Sequence, residues 1–258
     1  MNNELRYIIA KMVYNSGEGH IPSSYSIVDI INYLYKRVLS YDLTSPNWED
    51  RDYFVLSKGH GCGALWAVLN DVGFVSDEDL SLYSTYGGIL GGHPDASKVP
   101  GVEASTGSLG HGFPFAVGIA LGLKIKSKTN KVFALLGDGE CQEGTVWEGA
   151  NIAANQGLGN ICALVDWNKS AQQLMPVEDL MARWKSFGWN TRLIDGHDDT
   201  QLERAIAEVK FEEKYPNVIV SKNVKGKGVS FIEGHGAWHH KIPNKKDMEK
   251  IKIELGIT

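Results

Sequence analysis

Val132-Phe133-Ala134-Leu135-Leu136-Gly137-Asp138-Gly139-Glu140 is the stretch on which the reading of this chain turns. An unbroken apolar run of strand length, closed at once by turn residues, predicts a strand buried on both faces. Two glycines then let the backbone turn tightly around a carboxylate at the strand's end. Working outward, similar short runs recur at Tyr53–Leu56, Ile161–Val165, Thr191–Ile194 and Val218–Val220, all read as buried strands. Amphipathic stretches lie between most of them, around Ala64–Val72, Phe115–Ile125, Thr145–Asn155, Val177–Phe187 and Gln201–Val209. Strand and helix in alternation predict an α/β fold with an open, mainly parallel sheet and helices on both faces. Two helices precede it, carrying Leu5, Ile8, Ile9, Met12 and Val13, then Ile27, Ile30, Ile31, Leu34 and Val38, with Ser23-Ser24 as the expected N-cap of the second.

The chain has 258 residues, 43% hydrophobic and 22% charged, a balance that leaves no room for a long disordered tail. Its net charge of −5 argues against nucleic-acid binding by counterion release. No apolar run approaches the roughly 20 residues of a membrane helix, and the polar N-terminus has no signal-peptide pattern. Cys62, Cys141 and Cys162 are too few and too scattered for a disulfide framework, so reduced thiols in a cytoplasmic protein are expected. Lys241–Lys252 is expected to be a solvated terminal helix. No repeat or linker divides the sequence, so residues 1–258 are expected to form one domain. The 29 glycines suggest a backbone that comes close to a bound ligand.

Parallel sheets bind ligands beyond the carboxyl ends of their strands. The strand after Gly137-Asp138-Gly139 ends in Asp166-Trp167-Asn168-Lys169-Ser170, and Asn168 follows Asp138 by 30 residues, the length of one strand-helix-strand unit. Both side chains can then emerge side by side. A helix starting a few residues beyond Glu140 is expected to aim its first amides at the same place, which suits a diphosphate. Carboxylate and diphosphate need a cation between them. Asp138, the Asn168 amide oxygen, a nearby carbonyl such as that of Ser170, two diphosphate oxygens and a water would give Mg²⁺ its six oxygens. Histidines stand in four loops rich in glycine or proline: Gly19-His20-Ile21-Pro22, Ser57-Lys58-Gly59-His60-Gly61, Gly91-Gly92-His93-Pro94 and Trp238-His239-His240-Lys241-Ile242-Pro243. Such imidazoles can donate to phosphate, hold a sugar hydroxyl or relay protons.

Together with Ser105-Thr106-Gly107-Ser108-Leu109-Gly110 and Gln142-Glu143-Gly144, these motifs closely resemble the N-terminal, diphosphate-binding domain of transketolases, from about Leu5 to Pro243. The resemblance implies the thiamin-diphosphate-binding fold and transfer of a two-carbon ketol unit from a ketose to an aldose. It implies Asp138, Asn168 and the Ser170 carbonyl as ligands of Mg²⁺, for which Ca²⁺ or Mn²⁺ could stand in. His60 and His239 would meet the cofactor diphosphate, with Gly137, Gly139, Glu140 and Asn168 around it. Gly107, Ser108 and Leu109 would meet the aminopyrimidine ring. Catalytic roles would fall to His20 and His93 at the C1 hydroxyl and carbonyl end of the sugar, to His239, and to Glu143 at a subunit interface. Long transketolases continue into pyrimidine-binding and C-terminal domains, so the resemblance also implies a partner chain that supplies these, in an α₂β₂ assembly.

Departures from the family pattern are Ser108 where proline is common, His111 where glutamine is common, and His240 where glycine usually follows the histidine. The last leaves His235, His239 and His240 all open as the diphosphate contact. Rival readings are a 2-oxoacid-dependent thiamin-diphosphate enzyme, such as a 1-deoxyxylulose-5-phosphate synthase or an oxoacid dehydrogenase α chain, and a non-catalytic binding module. Gly92-His93-Pro94 and the final His-to-Pro loop weigh against the first, the set of loop histidines against the second. A dinucleotide-binding domain lacks its Gly-x-Gly-x-x-Gly.

Overall fold

In each strand successive side chains point to opposite faces, and apolar residues on both mean that neither face can be left to water. The computed structural model describes residues 2–172, 175–176 and 179–258. Its strands, β1 (Tyr53–Leu56), β2 (Val132–Gly137), β3 (Ile161–Trp167), β4 (Asn190–Asp195) and β5 (Asn217–Lys222), form one parallel sheet in the order β1-β2-β3-β5-β4. Phe54, Leu56, Phe133, Leu135, Leu164 and Ile219 face one core. Val55, Ala134, Leu136, Ala163, Val165 and Val220 face the other.

Helices α1 (Asn3–Ser16), α2 (Ile21–Tyr33) and α3 (Cys62–Val72) cover the first face, followed in the chain by the short α4 (Asp77–Ser81). On the second face lie α5 (Gly112–Ile125), α6 (Gly144–Asn155) and α7 (Leu180–Ser186), whose Phe113, Val146 and Trp184 are fully buried. The first face is completed by α8 (Asp199–Ala207) and α9 (Lys245–Glu254), through Leu202 and Ile251. No described helix is long and apolar enough to cross a membrane.

Two expectations change. Helix α2 begins at Ile21 with His20 at its N-cap, not at Ser23-Ser24. Pro22 explains the earlier start: its fixed φ suits the first turn, and its missing N–H would have had no intrahelical partner. His20 is thereby held where loop becomes helix. Thr191–Ile194 is an edge strand in which only Ile194 is buried, because β4 has a neighbour on one side alone. Helix α6 starts at Gly144, a few residues beyond Glu140 as expected, after a 3₁₀ turn over Glu140–Gln142. Of the expected helix at 177–187, residues 177 and 178 lie outside those described.

Candidate active site at the strand ends

Register brings the chemistry together. Gly137 lies beside Asp166 and Asp166 beside Ser221, so the ends of β2, β3 and β5 open onto one cleft of about 250 Å³. Of the residues expected there, Asp138, Asn168, Ser170, Gly137, Gly139 and Glu140 line its floor. Its rim is made by His20, His60, Leu109 and His239. Two lysines to which the sequence reading gave no role, Lys58 and Lys225, complete the wall. No residue of α6 lines it, so the strand-end turn itself takes the place expected of that helix's first amides.

The floor is organised by Asp166, fully buried at the end of β3. Its carboxylate accepts from Ser26 Oγ at 2.7 Å, Lys58 Nζ at 2.5 Å, Asn168 Nδ2 at 2.8 Å and Asn223 Nδ2 at 2.7 Å. Because the Asn168 NH₂ is spent on Asp166, its oxygen must turn the other way, where it accepts the Ser170 N–H at 3.0 Å. Asp138, one register step beyond Gly137, is 4% exposed and accepts the Gly139 N–H at 2.8 Å. Among the described residues it has no salt-bridge partner. Burial and the adjacent Asp166 charge push its carboxyl up to about 6. A buried carboxylate raised in this way, with an amide oxygen and a backbone turn beside it, suits a hard cation bound partly by a ligand's own oxygens. The donor set therefore fits Mg²⁺ held together with a diphosphate. Among the described residues no group of three or more His, Cys, Asp or Glu could chelate a metal unaided.

Glu140 serves the loops. Its buried carboxylate accepts from Ser57 Oγ and from the amides of Gly110 at 3.1 Å and Gly137 at 3.2 Å, tying three motif segments together. Lys225, 5% exposed, reaches Ser170 Oγ at 3.0 Å and His239 Nδ1 at 3.1 Å; burial, then the Lys58 charge, lowers its ammonium. Because the lysine donates to Nδ1, the proton of a neutral His239 is left on Nε2. Burial lowers His239 as well, with Lys225 adding to it. His60 is pushed down to about 2 by burial and by Lys58. His20, also lowered by burial, places Nδ1 at 3.2 Å from the His239 carbonyl, which can only accept. Its Nε2 is then the acceptor. The His20 ring centroid lies 5.6 Å from those of His60 and His239 and 4.6 Å from that of His240.

Among the three histidines left open, His239 lines the cleft, whereas His240 pairs with Glu18 at 3.3 Å and His235 leans on the Asn168 backbone. His93, Gly107, Ser108 and Glu143 lie outside the cleft and are exposed. A Cβ placed on Gly107 would sit 3.7 Å from the His93 ring, so those two loops touch. Glu143 is the N-cap of α6, against Gly110. The missed residues had a signal: Lys225-Gly226-Lys227-Gly228 follows the β5 run just as Gly137-Asp138-Gly139 follows β2.

A parallel sheet whose strand ends offer a carboxylate, an amide oxygen, two buried lysines and facing imidazoles defines an α/β domain suited to a metal-bound diphosphate. Comparison with known proteins gives the family. The model of the transketolase thiamine diphosphate binding domain matches residues 1–258. The chain is 37% identical over 243 residues to the 6-deoxy-6-sulfo-D-fructose transketolase subunit SqwG of a Clostridium species, covering 92% of this chain and 88% of that protein. It is 34% identical over 252 residues to an apulose-4-phosphate transketolase subunit of Phocaeicola vulgatus, covering 96% and 89%. The transketolase structure from Campylobacter jejuni superposes with a TM-score of 0.93 at 30% identity, over 98% of this chain but only 42% of that one. The chain belongs to the transketolase family, as an N-terminal, thiamin-diphosphate-binding subunit. The 2-oxoacid and non-catalytic readings give way to this match.

Proposed function

We propose that this subunit holds the diphosphate of thiamin diphosphate through Mg²⁺ at Asp138, Asn168 and the Ser170 carbonyl, and serves the transfer of a two-carbon ketol unit from an anionic ketose to an aldose. The observation that carries this is the raised, unpaired Asp138 beside Asn168, facing Lys58, Lys225, His60 and His239. Bound there, the cofactor supplies the electron sink that carbon–carbon cleavage needs. The chain's own groups do the rest. The lysine ammonium groups would offset the diphosphate charge and the neutral imidazoles would donate hydrogen bonds to it, with the proton on His239 Nε2 free to donate. His20, with Nε2 as acceptor, can take a proton from a sugar hydroxyl and return it. His93 would hold the sugar's carbonyl end, and Leu109 with Gly107 and Ser108 would meet the aminopyrimidine.

A partner subunit carrying the pyrimidine-binding domain, in an α₂β₂ assembly, is part of the same proposal. Both relatives are named as subunits and match this chain over 88% and 89% of their length. Gly107, Ser108 and Glu143 are exposed, and nearby α5 leaves Phe115 53% and Ile125 75% exposed, an apolar face suited to another chain. The setting we propose is the cytoplasm, where the buried thiols of Cys62, Cys141 and Cys162 stay reduced.

The test is turnover. With thiamin diphosphate and Mg²⁺, ketol transfer is expected only when the partner chain is added; normal turnover by this chain alone refutes the two-chain proposal. In the active assembly, His93→Ala is expected to lower kcat by about 10²-fold, with cofactor affinity changed less than about twofold. A defect confined to cofactor affinity would instead place His93 among the diphosphate contacts.

A further inference from the structure

Asp29 of α2, 1% exposed, is gripped from two sides. Arg6 of α1 reaches it with two guanidinium nitrogens, at 2.5 and 3.0 Å, and His197, in the turn after β4, with Nδ1 at 2.8 Å. Burial alone would raise this carboxyl; the bonds from His197 and Arg6 outweigh it and hold the group well below the usual carboxylate range. The far side of the same imidazole accepts a main-chain donor, with the Val224 N–H meeting Nε2 at 3.0 Å. A backbone amide can only donate. Nε2 therefore carries no proton, and the ring's single proton sits on Nδ1, facing Asp29.

Val224 immediately precedes Lys225, and the grip continues along that segment. Gly226 N donates to the Pro22 carbonyl at 3.0 Å, and Arg6 Nε donates to the Lys227 carbonyl at 2.7 Å. The loop that carries Lys225 is thus fastened at three points to α1, α2 and the β4–α8 turn. His197 supplies the fastening next to the lysine. We propose that His197 is a positioning residue for the cofactor: by fixing the Val224 amide it aims the Lys225 ammonium at the diphosphate. The inference rests on the reading of Lys225 given above. His197 itself does not line the cleft.

The two ring nitrogens can be separated by substitution, since asparagine reproduces the Nδ1 position and glutamine the Nε2 position. His197→Asn keeps the bond to Asp29 and loses the acceptor for Val224. His197→Gln does the reverse. On the full chain, thiamin diphosphate affinity is measured with Mg²⁺ present, and amide exchange at Val224 without cofactor. H197N is expected to lose Val224 protection and bind about tenfold more weakly, the size of a lost hydrogen bond to a charged group. H197Q is expected to keep both properties, and the H197N/K225M double variant to bind no more weakly than K225M alone. Full affinity in H197N beside a weakened K225M overturns the role of His197 and leaves that of Lys225 standing. Full affinity in K225M overturns both. Loss of affinity in H197Q with Val224 still protected also overturns the proposal, and this arm holds even if H197N fails to fold.

Discussion

Asp138→Ala is expected to weaken binding of thiamin diphosphate in the presence of Mg²⁺ by more than about a hundredfold, since even residues behind a metal's ligands cost 10–100-fold when removed. Without this carboxylate the cation loses its charged protein ligand, and the diphosphate meets strand ends whose remaining nearby carboxylates are already committed, Asp166 to Lys58 and Glu140 to Ser57 and the Gly110 and Gly137 amides. Unchanged affinity, measured by titration of the purified chain with the cofactor at fixed Mg²⁺, would remove Asp138 from the metal site.

Stability is expected to move the opposite way. The Asp138 carboxyl is raised from its ordinary 3.8 to about 6 in the fold, so the metal-free fold binds a proton there more tightly than the unfolded chain does. That contribution is fully present below 3.8 and is lost as pH rises through about 6. Above that window the charged carboxylate, which has no salt-bridge partner among the described residues, costs on the order of 3 kcal/mol. Asp138→Asn should therefore stabilise the metal-free chain at pH 8 by about that amount and have much less effect at pH 4. Thermal denaturation in a chelator at the two pH values measures the difference. A residue retained at a cost to stability and essential to binding is behaving as a ligand rather than as part of the core.

Much of this was legible because strand ends are local in sequence. The β2 run followed by Gly137-Asp138-Gly139, with Asn168 one βαβ unit on, locates the cleft floor from the sequence alone. Short apolar runs alternating with helices locate the sheet but not the exposure of β4, because strand order depends on contacts far apart in the chain. The start of α2 was misplaced because Ser23 and Ser24 resemble caps, while Pro22 was the stronger signal. Asp166 stayed hidden for another reason. Its partners come from Ser26, Lys58, Asn168 and Asn223, four separate segments that only the folded sheet brings together. No spacing rule finds a residue defined by hydrogen bonds to such scattered partners. The roles proposed for His93 and Glu143 come from family resemblance alone, because both are exposed and the chain's own packing assigns them none.

Asp166→Ala is expected to cost about 4 kcal/mol of stability, in the range for breaking a buried ion pair, because Lys58 at 2% exposure would be left charged with no counterion in place. The same change frees the Asn168 side chain, so cofactor binding should fall even in whatever fraction stays folded. Pairing Asp166→Asn with Lys58→Met separates the two effects. Methionine fills the lysine's apolar path without its charge, and the asparagine oxygen can still accept from Ser26 and Asn223, which share Oδ1 of the native carboxylate, while its NH₂ takes the place of the Oδ2 that held the Asn168 NH₂. Replacing a buried ion pair by neutral groups of similar shape is often close to neutral for stability. The double variant is therefore expected to recover most of the denaturation midpoint yet bind thiamin diphosphate at least about tenfold more weakly than the native chain, because a cleft-lining cation is gone and Asn168 has lost its acceptor on Asp166. Recovery of both stability and affinity would make the Lys58–Asp166 pair purely structural. Recovery of stability alone means the pair persists for the site, through the positive charge of Lys58 at the cleft wall and the hold of Asp166 on Asn168.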